Sequence, residues 1–366
     1  MIPRFKKSKP RKRIRELDST LLALSLSMLT LGLIALYSAS AIYSDHLYGT
    51  PWFFMKRQLM FSVLGLGLMT GLSRLDYKMY REYNWVIFAF TAILLIAVLF
   101  SPAVAGVKRW IRFGSFGLQP AEFAKITVIL FLADYLDRKR SKVKNLRHGI
   151  GIPLAFVGSL LVLMGLAPDL GTPSLVLLVS FAILFIGGTR VKHLAATIGV
   201  SAVLFVLEML RMPYRRARLF SFLNPFADAT GEGYQLSQSL LAVGSGGVFG
   251  NGLGASKIKL LYLPAAHTDF IFSIICEEVG LAGAAVILGL FAAFAARGFR
   301  IARRAPDLYG TLLAAGLSIL ITLQAFINVA MAIGLGPTKG LPLPFFSYGG
   351  SSLLVTLAAV GILLNV

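Results

Sequence analysis

The feature that most limits what this chain can fold into is its series of long apolar runs. Several of them continue for the roughly 18 to 20 residues that a helix needs to cross a bilayer. Hydrophobic residues make up 57% of the 366 residues and charged residues only 14%, which is more apolar surface than one globular core can bury. The alternating pattern of a membrane β-barrel is not seen. The sequence therefore predicts an all-α polytopic protein with one integral membrane domain over 1–366.

Ten transmembrane helices are predicted, and most of the 36 Lys and Arg residues lie beside them on the side of the N-terminus. Basic residues collect on the cytoplasmic side of membrane proteins, so both termini are expected to be cytoplasmic. The first run is too long for a cleaved signal peptide and is expected to stay in the mature chain. The predicted helices cover approximately 18–42, 56–74, 84–101, 120–136, 149–166, 170–187, 193–211, 270–296, 311–333 and 350–366.

The basic composition, with a formal net charge of +20, is explained mainly by membrane topology. The N-terminal segment 1–17 is expected to be a cytoplasmic topology signal that also contacts anionic lipids. Nucleic acid is not an expected partner, because no folded domain is available to read bases. A further group of basic residues falls on the predicted outer side and indicates either an anionic ligand or phospholipid headgroups. This group consists of Lys56, Arg57, Lys108, Arg109, Arg112, Lys125, Arg211, Arg215, Arg216, Arg218, Lys257, Lys259 and Lys339.

Cysteine and histidine usage argues against disulfides and zinc sites. Cys276 is the single cysteine, so no intramolecular disulfide can form, and we expect it to be a small core residue. The four histidines are scattered without the spacing of zinc ligands. No structural metal is therefore expected from these residues.

Three segments between the predicted helices are long or irregular enough to have structure of their own, namely 102–119, 212–268 and 336–352. The second is a large extracytoplasmic loop between the seventh and eighth helices. Its stretch YQLSQSLLAV predicts a short amphipathic helix in the membrane interface, with Leu236, Leu240 and Leu241 on one face. The third is rich in Pro and Gly and is expected to line a cavity, because irregular backbone needs cover at membrane depth.

The glycine-rich stretch GSGGVFGNGLG, residues 244–254, permits tight turns and a close approach of the main chain to a ligand. A phosphate cradle is one interpretation of this stretch. Neither a GxGxxG strand context nor a Walker lysine accompanies it, so the stretch alone is weak evidence for phosphate binding.

Ionisable residues within membrane spans are costly, and each is a candidate for a functional site. Glu122 and Lys125 are three residues apart and are expected to pair on one helix face, either structurally or as part of a site. Glu208 is expected to pair with Arg211 one turn later. Asp169, in APDLGTPS, is either a helix N-cap or a functional residue that faces the basic loops.

The stretch LPAAHTDFIFSIICEEVG contains three carboxylates in an otherwise apolar region. Asp269 is predicted to lie at the outer edge of the membrane, where it could act as a general base. Capping of the next helix by Thr268 or Asp269 is the alternative. Glu277 and Glu278 lie about 12 to 14 Å deeper at ~1.5 Å per residue, too far to act on the same atom. They are expected to support the bundle or to form a proton or cation site.

Five ordered motifs carry a resemblance to a known family over essentially the whole chain. They are GVKRWIRFGSFGLQPAEFAK, PDLGT, NPFADATGEGYQLSQSLLAVGSGGVFGNGLG, LPAAHTDFIFSIICEEVG and GLPLPFFSYGGSS. The chain resembles the SEDS family of shape, elongation, division and sporulation proteins, and its division-type FtsW and sporulation-type SpoVE branch more than its elongation-type RodA branch. The resemblance implies a ten-helix bacterial inner-membrane protein that polymerises peptidoglycan from lipid II beside a class B penicillin-binding protein.

The resemblance also implies roles for individual residues. Asp269, in the HTDFIF motif, matches the family's essential catalytic carboxylate. Other family motifs fall on Arg109, Trp110, Glu122, Lys125 and Asp169. Structural roles are expected for Glu122, Lys125 and Glu277. The residues expected to bind substrate are Arg109, Trp110, Lys125, Asp169, Arg215, Arg218, His267, Thr268, Lys339, Ser347 and Ser351.

Under this interpretation Asp269 takes the proton from the 4-hydroxyl of the acceptor sugar. That oxygen displaces undecaprenyl pyrophosphate from the donor with inversion, and basic residues stabilise the leaving group. One carboxylate suffices because pyrophosphate leaves without protonation. Many relatives have a glutamate where this chain has Ala265, which weakens the expectation of a divalent cation. A lipid II transporter and a scaffold for division proteins are the alternative functions.

Overall fold

The computed structural model describes residues 17–103, 107–114, 116–167, 170–211, 213–227, 231, 233–259, 263 and 266–366. Helices dominate this part of the chain. They are α1 (Ser19–Tyr48), α2 (Phe53–Arg74), α3 (Met79–Glu82), α4 (Asn84–Leu99), α5 (Pro120–Arg138), α6 (Ile152–Leu166), α7 (Gly171–Ile186), α8 (Val191–Arg211), α9 (Pro213–Leu223), α10 (Tyr234–Ser245), α11 (Ile271–Arg304), α12 (Leu308–Ala332) and α13 (Gly350–Asn365). A short antiparallel hairpin pairs β1 (Ile111–Phe113) with β2 (Phe116–Leu118).

The described part of the chain has a helix at each of the ten predicted positions, with ends shifted by at most eight residues, as α1, α2, α4, α5, α6, α7, α8, α11, α12 and α13. Of the described helices, five are long and apolar enough to cross a membrane by length and composition, at Ser19–Tyr48, Arg147–Leu166, Val191–Arg211, Ile271–Arg304 and Leu308–Ala332. Three more, α4, α7 and α13, are apolar but shorter. The remaining two, α2 and α5, carry charged side chains in their first turns. The all-α polytopic architecture is therefore confirmed.

Charged side chains at one end of the bundle fix where helices begin. The Asp18 carboxylate accepts a hydrogen bond from Leu21 N at 2.9 Å and so caps α1. The same carboxylate pairs with Arg297 Nε, near the end of α11, at 2.8 Å. α12 begins in a similar way, since Asp307 Oδ1 accepts from Gly310 N at 2.7 Å. The start of α1 and the α11–α12 connection are thus tied together at this end.

The core of the bundle is built around α5 and α12, which are buried along most of their length. Cys276 of α11 is also buried, which confirms its prediction as a core residue. Helix α8 is the opposite case, because Leu194 and Met209 are its only described side chains that are buried. A helix that is apolar and exposed on most sides is suited to face lipid.

The segment between α8 and α11 has secondary structure, as its composition predicted, but one face was predicted wrongly. In α10, Leu236 is buried whereas Leu241 is 50% exposed, so the two do not share a face. The buried face instead includes Ser239, whose Oγ lies 2.6 Å from Ser273 Oγ and donates to Ala332 O at 2.7 Å. α10 is therefore docked on α11 and α12 through polar contacts.

α11 was predicted as one unbroken span, and the structure shows that it is interrupted. Gly280 has φ +68° and ψ −166°, a backbone conformation that residues other than glycine rarely adopt. The break leaves main-chain groups without helical partners. Two of them, the carbonyls of Glu277 and Glu278, accept hydrogen bonds from Asn251 N and Gly252 N, both at 3.0 Å.

The same loop also satisfies the other side of the break. Leu281 N and Ala282 N donate to the carbonyls of Gly247 and Val248, both at 3.0 Å. A Cβ on Gly280 would lie 2.4 Å from the main chain of the loop. The glycine-rich stretch 244–254 therefore fills the break in α11, and the phosphate-cradle interpretation is not supported because amides of this loop are used inside the protein.

Candidate active site at the start of α11

Asp269 lies in the turn that precedes α11. The residue at the cap position of this helix is Phe270, which makes no side-chain capping hydrogen bond. The alternative in which Thr268 or Asp269 serves as a helix cap is therefore not supported. The Asp269 carbonyl accepts a hydrogen bond from Asn328 Nδ2 of α12 at 2.8 Å. The turn is thus anchored through its main chain.

The loop 336–349, between α12 and α13, holds this turn from the other side. Tyr348 N donates to His267 O at 2.9 Å. Ser347 Oγ donates to Thr268 O and accepts from Leu343 N. Ser347 was predicted to bind substrate, but its hydroxyl is buried and joins two stretches of main chain. Its observed contacts therefore favour a supporting role.

The Asp269 carboxylate lies against Gly340 of the same loop. A Cβ built on Gly340 would be 3.2 Å from Asp269 Oδ2 and 3.9 Å from Arg109 Nη1. Gly340 is exposed, and Asp269 and Arg109 are partly exposed. The structure thus brings a carboxylate and a guanidinium from distant parts of the sequence to one accessible point, where a side chain on residue 340 would crowd both.

The β1–β2 hairpin lies next to the contact of Asp269 and Arg109 with Gly340. Arg109 and Trp110 directly precede β1, and a Cβ on Gly117 would lie 3.0 Å from Trp110 Cε3, so the indole packs on the hairpin. Ser351, in the first turn of α13, accepts from Gln119 N at 3.1 Å and donates to Gly117 O at 3.3 Å. Trp110 and Ser351, both predicted to bind substrate, are therefore found supporting the hairpin.

His267 is enclosed by aromatic rings. The ring centroids of Tyr43, Phe54 and Tyr348 lie 5.2, 4.5 and 5.9 Å from its imidazole. This burial lowers the pKa of His267 from 6.5 to about 4, because desolvation disfavours the charged imidazolium. His267 is therefore neutral at pH 7, and it fills the space behind the turn instead of contributing a charge to the site.

A buried polar chain supports the loop 336–349 from within the bundle. Lys125 Nζ lies 2.7 Å from Glu122 Oε1, with the two side chains 1% and 2% exposed, which confirms the predicted pair. The same ammonium donates to Gln324 Oε1 at 2.8 Å, and Gln324 Nε2 donates to Pro342 O at 2.7 Å. Of the two roles predicted for Lys125, these contacts favour the structural one.

Glu277 and Glu278 are both buried and both used inside the protein. Glu277 accepts from Lys257 N at 2.9 Å. Glu278 accepts from Ser38 Oγ and from Lys259 Nζ, each at 2.7 Å. These bonds tie α1 and the segment after the glycine-rich loop to α11, and of the two roles predicted for the glutamates they favour support of the bundle. Lys259, one of the outer basic residues predicted to meet an anionic ligand, is occupied by this pair.

The remaining predicted site residues are distributed as follows. Lys339 Nζ lies 4.3 Å from the ring centroid of Phe205 in α8, an arrangement typical of a cation–π contact. Asp169 lies outside the described residues, as do the side chains of Arg215 and Arg218. The exposed pair of Glu208 with Arg211 is present, with 3.8 Å between charged atoms.

The described residues around Asp269 bear on whether a metal ion could bind at this site. Among the residues that the structure describes, no group of three or more His, Cys, Asp or Glu side chains could hold one. The described group that lies with Asp269 at Gly340 is the Arg109 guanidinium, whereas divalent cations such as Mg²⁺ prefer several oxygen ligands.

Sequence reasoning missed Gln324, Asn328 and Gly340. Gln324 and Asn328 are four residues apart and so share one face of α12, an apolar helix in which two carboxamides are unusual. That spacing could have identified a polar face directed at a partner. Gly340 lies within the quoted motif, but its contact with Asp269 depends on tertiary structure.

The chain matches the family model described as Cell cycle protein, for FtsW, RodA and SpoVE, over residues 19–366. Stage V sporulation protein E from Bacillus subtilis is 42% identical over 355 residues, which are 95% of this chain and 96% of the relative. A probable peptidoglycan glycosyltransferase FtsW from Geobacter metallireducens is 40% identical over 359 residues, which are 97% of this chain and 96% of the relative.

Solved structures share the fold. A chain of a structure described as structural coordination of polymerization and crosslinking by a peptidoglycan synthase complex has a TM-score of 0.80 and 28% identity, and covers 95% of this chain and 97% of that chain. The Rod shape determining protein RodA from Thermus thermophilus has a TM-score of 0.69 and 28% identity, with 95% and 96% covered. The two relatives found by sequence, the stage V sporulation protein E and FtsW, agree with the predicted branch. Because the match extends over nearly its whole length, this chain belongs to the FtsW, RodA and SpoVE family of cell cycle proteins.

Proposed function

We propose that this chain is a peptidoglycan glycosyltransferase that polymerises lipid II at the outer face of the bacterial cytoplasmic membrane, with Asp269 as general base. The observation that carries the role of Asp269 is the position of its carboxylate at the exposed Gly340, beside Arg109. The reaction type is supported by the relatives named as probable peptidoglycan glycosyltransferases.

The proposed orientation places Asp269 on the extracytoplasmic side. α11 begins directly after the Asp269 turn and ends in Arg303 and Arg304. Because basic residues collect at cytoplasmic helix ends, the opposite end of α11 is assigned to the outer side. The segment 212–268 is then extracytoplasmic, and both termini are cytoplasmic.

In the proposed reaction, Asp269 accepts the proton of the acceptor sugar's 4-hydroxyl. The oxygen forms a bond to the anomeric carbon of the donor, and the bond from that carbon to the pyrophosphate oxygen breaks with inversion. Undecaprenyl pyrophosphate leaves as an anion and needs no second acid, because its charge is already stable in water. One accessible carboxylate is therefore sufficient for proton transfer.

Cations near the carboxylate are proposed to stabilise the leaving diphosphate. Arg109 is the described guanidinium that shares the Gly340 contact with Asp269. Lys125 and Lys259 are not assigned this role, because each is at most 4% exposed and paired with a buried glutamate. Guanidinium groups suit phosphate recognition because their planar donors match phosphate oxygens.

A class B penicillin-binding protein is the proposed partner, because glycan strands become a wall only after they are crosslinked. This proposal is supported by the structural relative described as part of a peptidoglycan synthase complex that coordinates polymerization and crosslinking. The partner supplies the transpeptidase, whereas this chain supplies the glycan strand.

Polymerisation from purified lipid II, with and without the cognate transpeptidase, tests the proposal. The matched acidic control is Asp45→Ala, which removes an exposed carboxylate from the last turn of α1. Wild type and Asp45→Ala are expected to make glycan strands. Asp269→Ala is expected to lose at least about 10²–10⁴-fold in rate, the usual contribution of a general base, with an unchanged unfolding midpoint.

Two outcomes contradict parts of this proposal. Glycan strands made by Asp269→Ala at the rate of Asp45→Ala would remove Asp269 as the base. Movement of lipid II across vesicles without polymer formation by the wild type would favour a transporter.

A further inference from the structure

Asn328 of α12 makes an unusual pair of contacts for a side chain within a membrane helix. It is fully buried, at 0% exposure. Its Nδ2 donates to Asp269 O at 2.8 Å and to Leu341 O at 2.7 Å. Asp269 precedes α11, and Leu341 belongs to the loop 336–349. One amide group therefore joins the two main-chain segments that meet at the candidate carboxylate.

The two contacts fix the orientation of the Asn328 amide. Only the nitrogen can donate, and a reversed amide would place Oδ1 against two carbonyl oxygens. Oδ1 itself is buried and has no hydrogen-bond partner among the described residues. A buried acceptor without a partner costs about 1–3 kcal/mol. The amide thus keeps both donor contacts in spite of a cost in stability, a pattern typical of functional sites.

The geometry links these contacts to the reacting group. Gly340 directly precedes Leu341, and its main chain lies against the Asp269 carboxylate, 3.2 Å from a Cβ position on residue 340. Asn328 holds the residue that carries the carboxylate and the residue next to Gly340 with the same nitrogen. The spacing between the carboxylate and the Gly340 main chain therefore depends on this amide.

We propose that Asn328 is a positioning residue, which sets the place of the Asp269 carboxylate relative to the Gly340 turn. This inference rests on the proposed function of Asp269 as general base. Asn328 itself is too deeply buried to touch a substrate. Its loss is therefore expected to slow the proton-transfer step and to leave the affinity for lipid II nearly unchanged.

The experiment compares Asn328→Ala with Thr322→Val in steady-state polymerisation from lipid II, for the full chain with its transpeptidase. Thr322 lies on the same helix, and among the described residues its hydroxyl bonds within that helix, to Ser318 O at 2.7 Å and more weakly to Ile319 O. Asn328→Ala is expected to lower kcat about 10- to 100-fold, since a displacement of about 1 Å can cost that much. KM is expected to stay near the wild-type value, and the pH dependence of kcat is expected to shift.

A second variant covers the case in which Asn328→Ala does not fold. Gly340→Ala perturbs the same spacing from the exposed side, without creating a cavity in the core. A lower kcat of Asn328→Ala or of Gly340→Ala, with an unchanged unfolding midpoint, supports the inference. A kcat within twofold of Thr322→Val for the folded Asn328→Ala, or a loss confined to KM, overturns it, as does a wild-type kcat for Gly340→Ala.

The measurements also separate this inference from the proposed function. Asp269→Ala is assayed in the same preparations. If Asp269→Ala polymerises, the proposed base is rejected. If Asp269→Ala is inactive and Asn328→Ala is fully active, only the positioning role is rejected.

Discussion

The carboxylates at the beginning of α11 occupy two different environments. Glu277 and Glu278 are 2% and 3% exposed, and neighbouring donors hold both of them. Asp269, in the turn directly before the helix, is partly exposed and lies at an exposed glycine beside Arg109. An acid in an apolar sequence is therefore available to a substrate when it stays accessible, and it joins parts of the structure when buried donors surround it.

The largest expected effect tests the structural side of this comparison. Lys259→Met removes the ammonium that lies 2.7 Å from Glu278 Oε1, with both side chains 4% exposed. Glu278 would then be a buried charge without its cation, and removal of one partner of a buried pair costs about 3–5 kcal/mol. The midpoint of thermal unfolding in detergent is expected to fall accordingly.

The double variant Lys259→Met with Glu278→Gln is the control for this effect. It removes both charges, and much of the lost stability is expected to return. A double variant as unstable as Lys259→Met alone would show that the pair does not act through an unpaired charge.

An effect of intermediate size is expected from pH at His267, which belongs to the same turn as Asp269. The pKa of His267 falls from 6.5 in the unfolded chain to about 4 in the folded protein, because burial disfavours the charged ring. The unfolded chain therefore binds more protons between these values, and stability is lost as the pH falls from about 6.5 to about 4. Because the side chain is partly exposed, water screens the effect, and the loss of stability is limited to about 1–2 kcal/mol.

Thermal unfolding of wild type and His267→Phe between pH 4 and pH 7.5 measures this effect. The stability difference between the two proteins is expected to change with pH in the stated window, since other groups titrate equally in both. A constant difference would contradict the depressed pKa.

The smallest effect is expected at an exposed ion pair, which serves as the reference for both environments. Glu208 and Arg211 are 39% and 75% exposed, and their charged atoms are 3.8 Å apart. Exposed pairs contribute about 0–1 kcal/mol, because water and salt screen them. Glu208→Ala should leave both the unfolding midpoint and the polymerisation rate unchanged, and a loss above about 1 kcal/mol would mean that this pair has further contacts.

Much of the fold could be predicted from the sequence because the length of an apolar run determines whether it spans a bilayer. The break at Gly280 could not, since single glycines are common in membrane helices and only the loop that fills the break reveals it. The face of Leu241 was predicted wrongly for a related reason. Helical periodicity shows which residues lie together, but polar contacts such as that of Ser239 with α11 and α12 decide which face is buried.

The sequence identified the site residues that lie in motifs. It could not show which way packing turns their side chains. Asp269 and Arg109 were predicted individually, but their shared contact with Gly340 joins distant parts of the chain. Ser347 and Ser351 were predicted to bind substrate. Both hydroxyls instead bond main chain, which no local pattern reports.

The interrupted α11 has a consequence for protein engineering. The loop 247–252 completes the hydrogen bonding of peptide groups on both sides of Gly280. Each such group, if stripped of its partner in hydrocarbon, costs several kcal/mol. Epitope tags, fluorescent fusions and deletions in the segment between α8 and α11 must therefore spare this loop, because it supplies hydrogen-bond partners that the interrupted helix lacks.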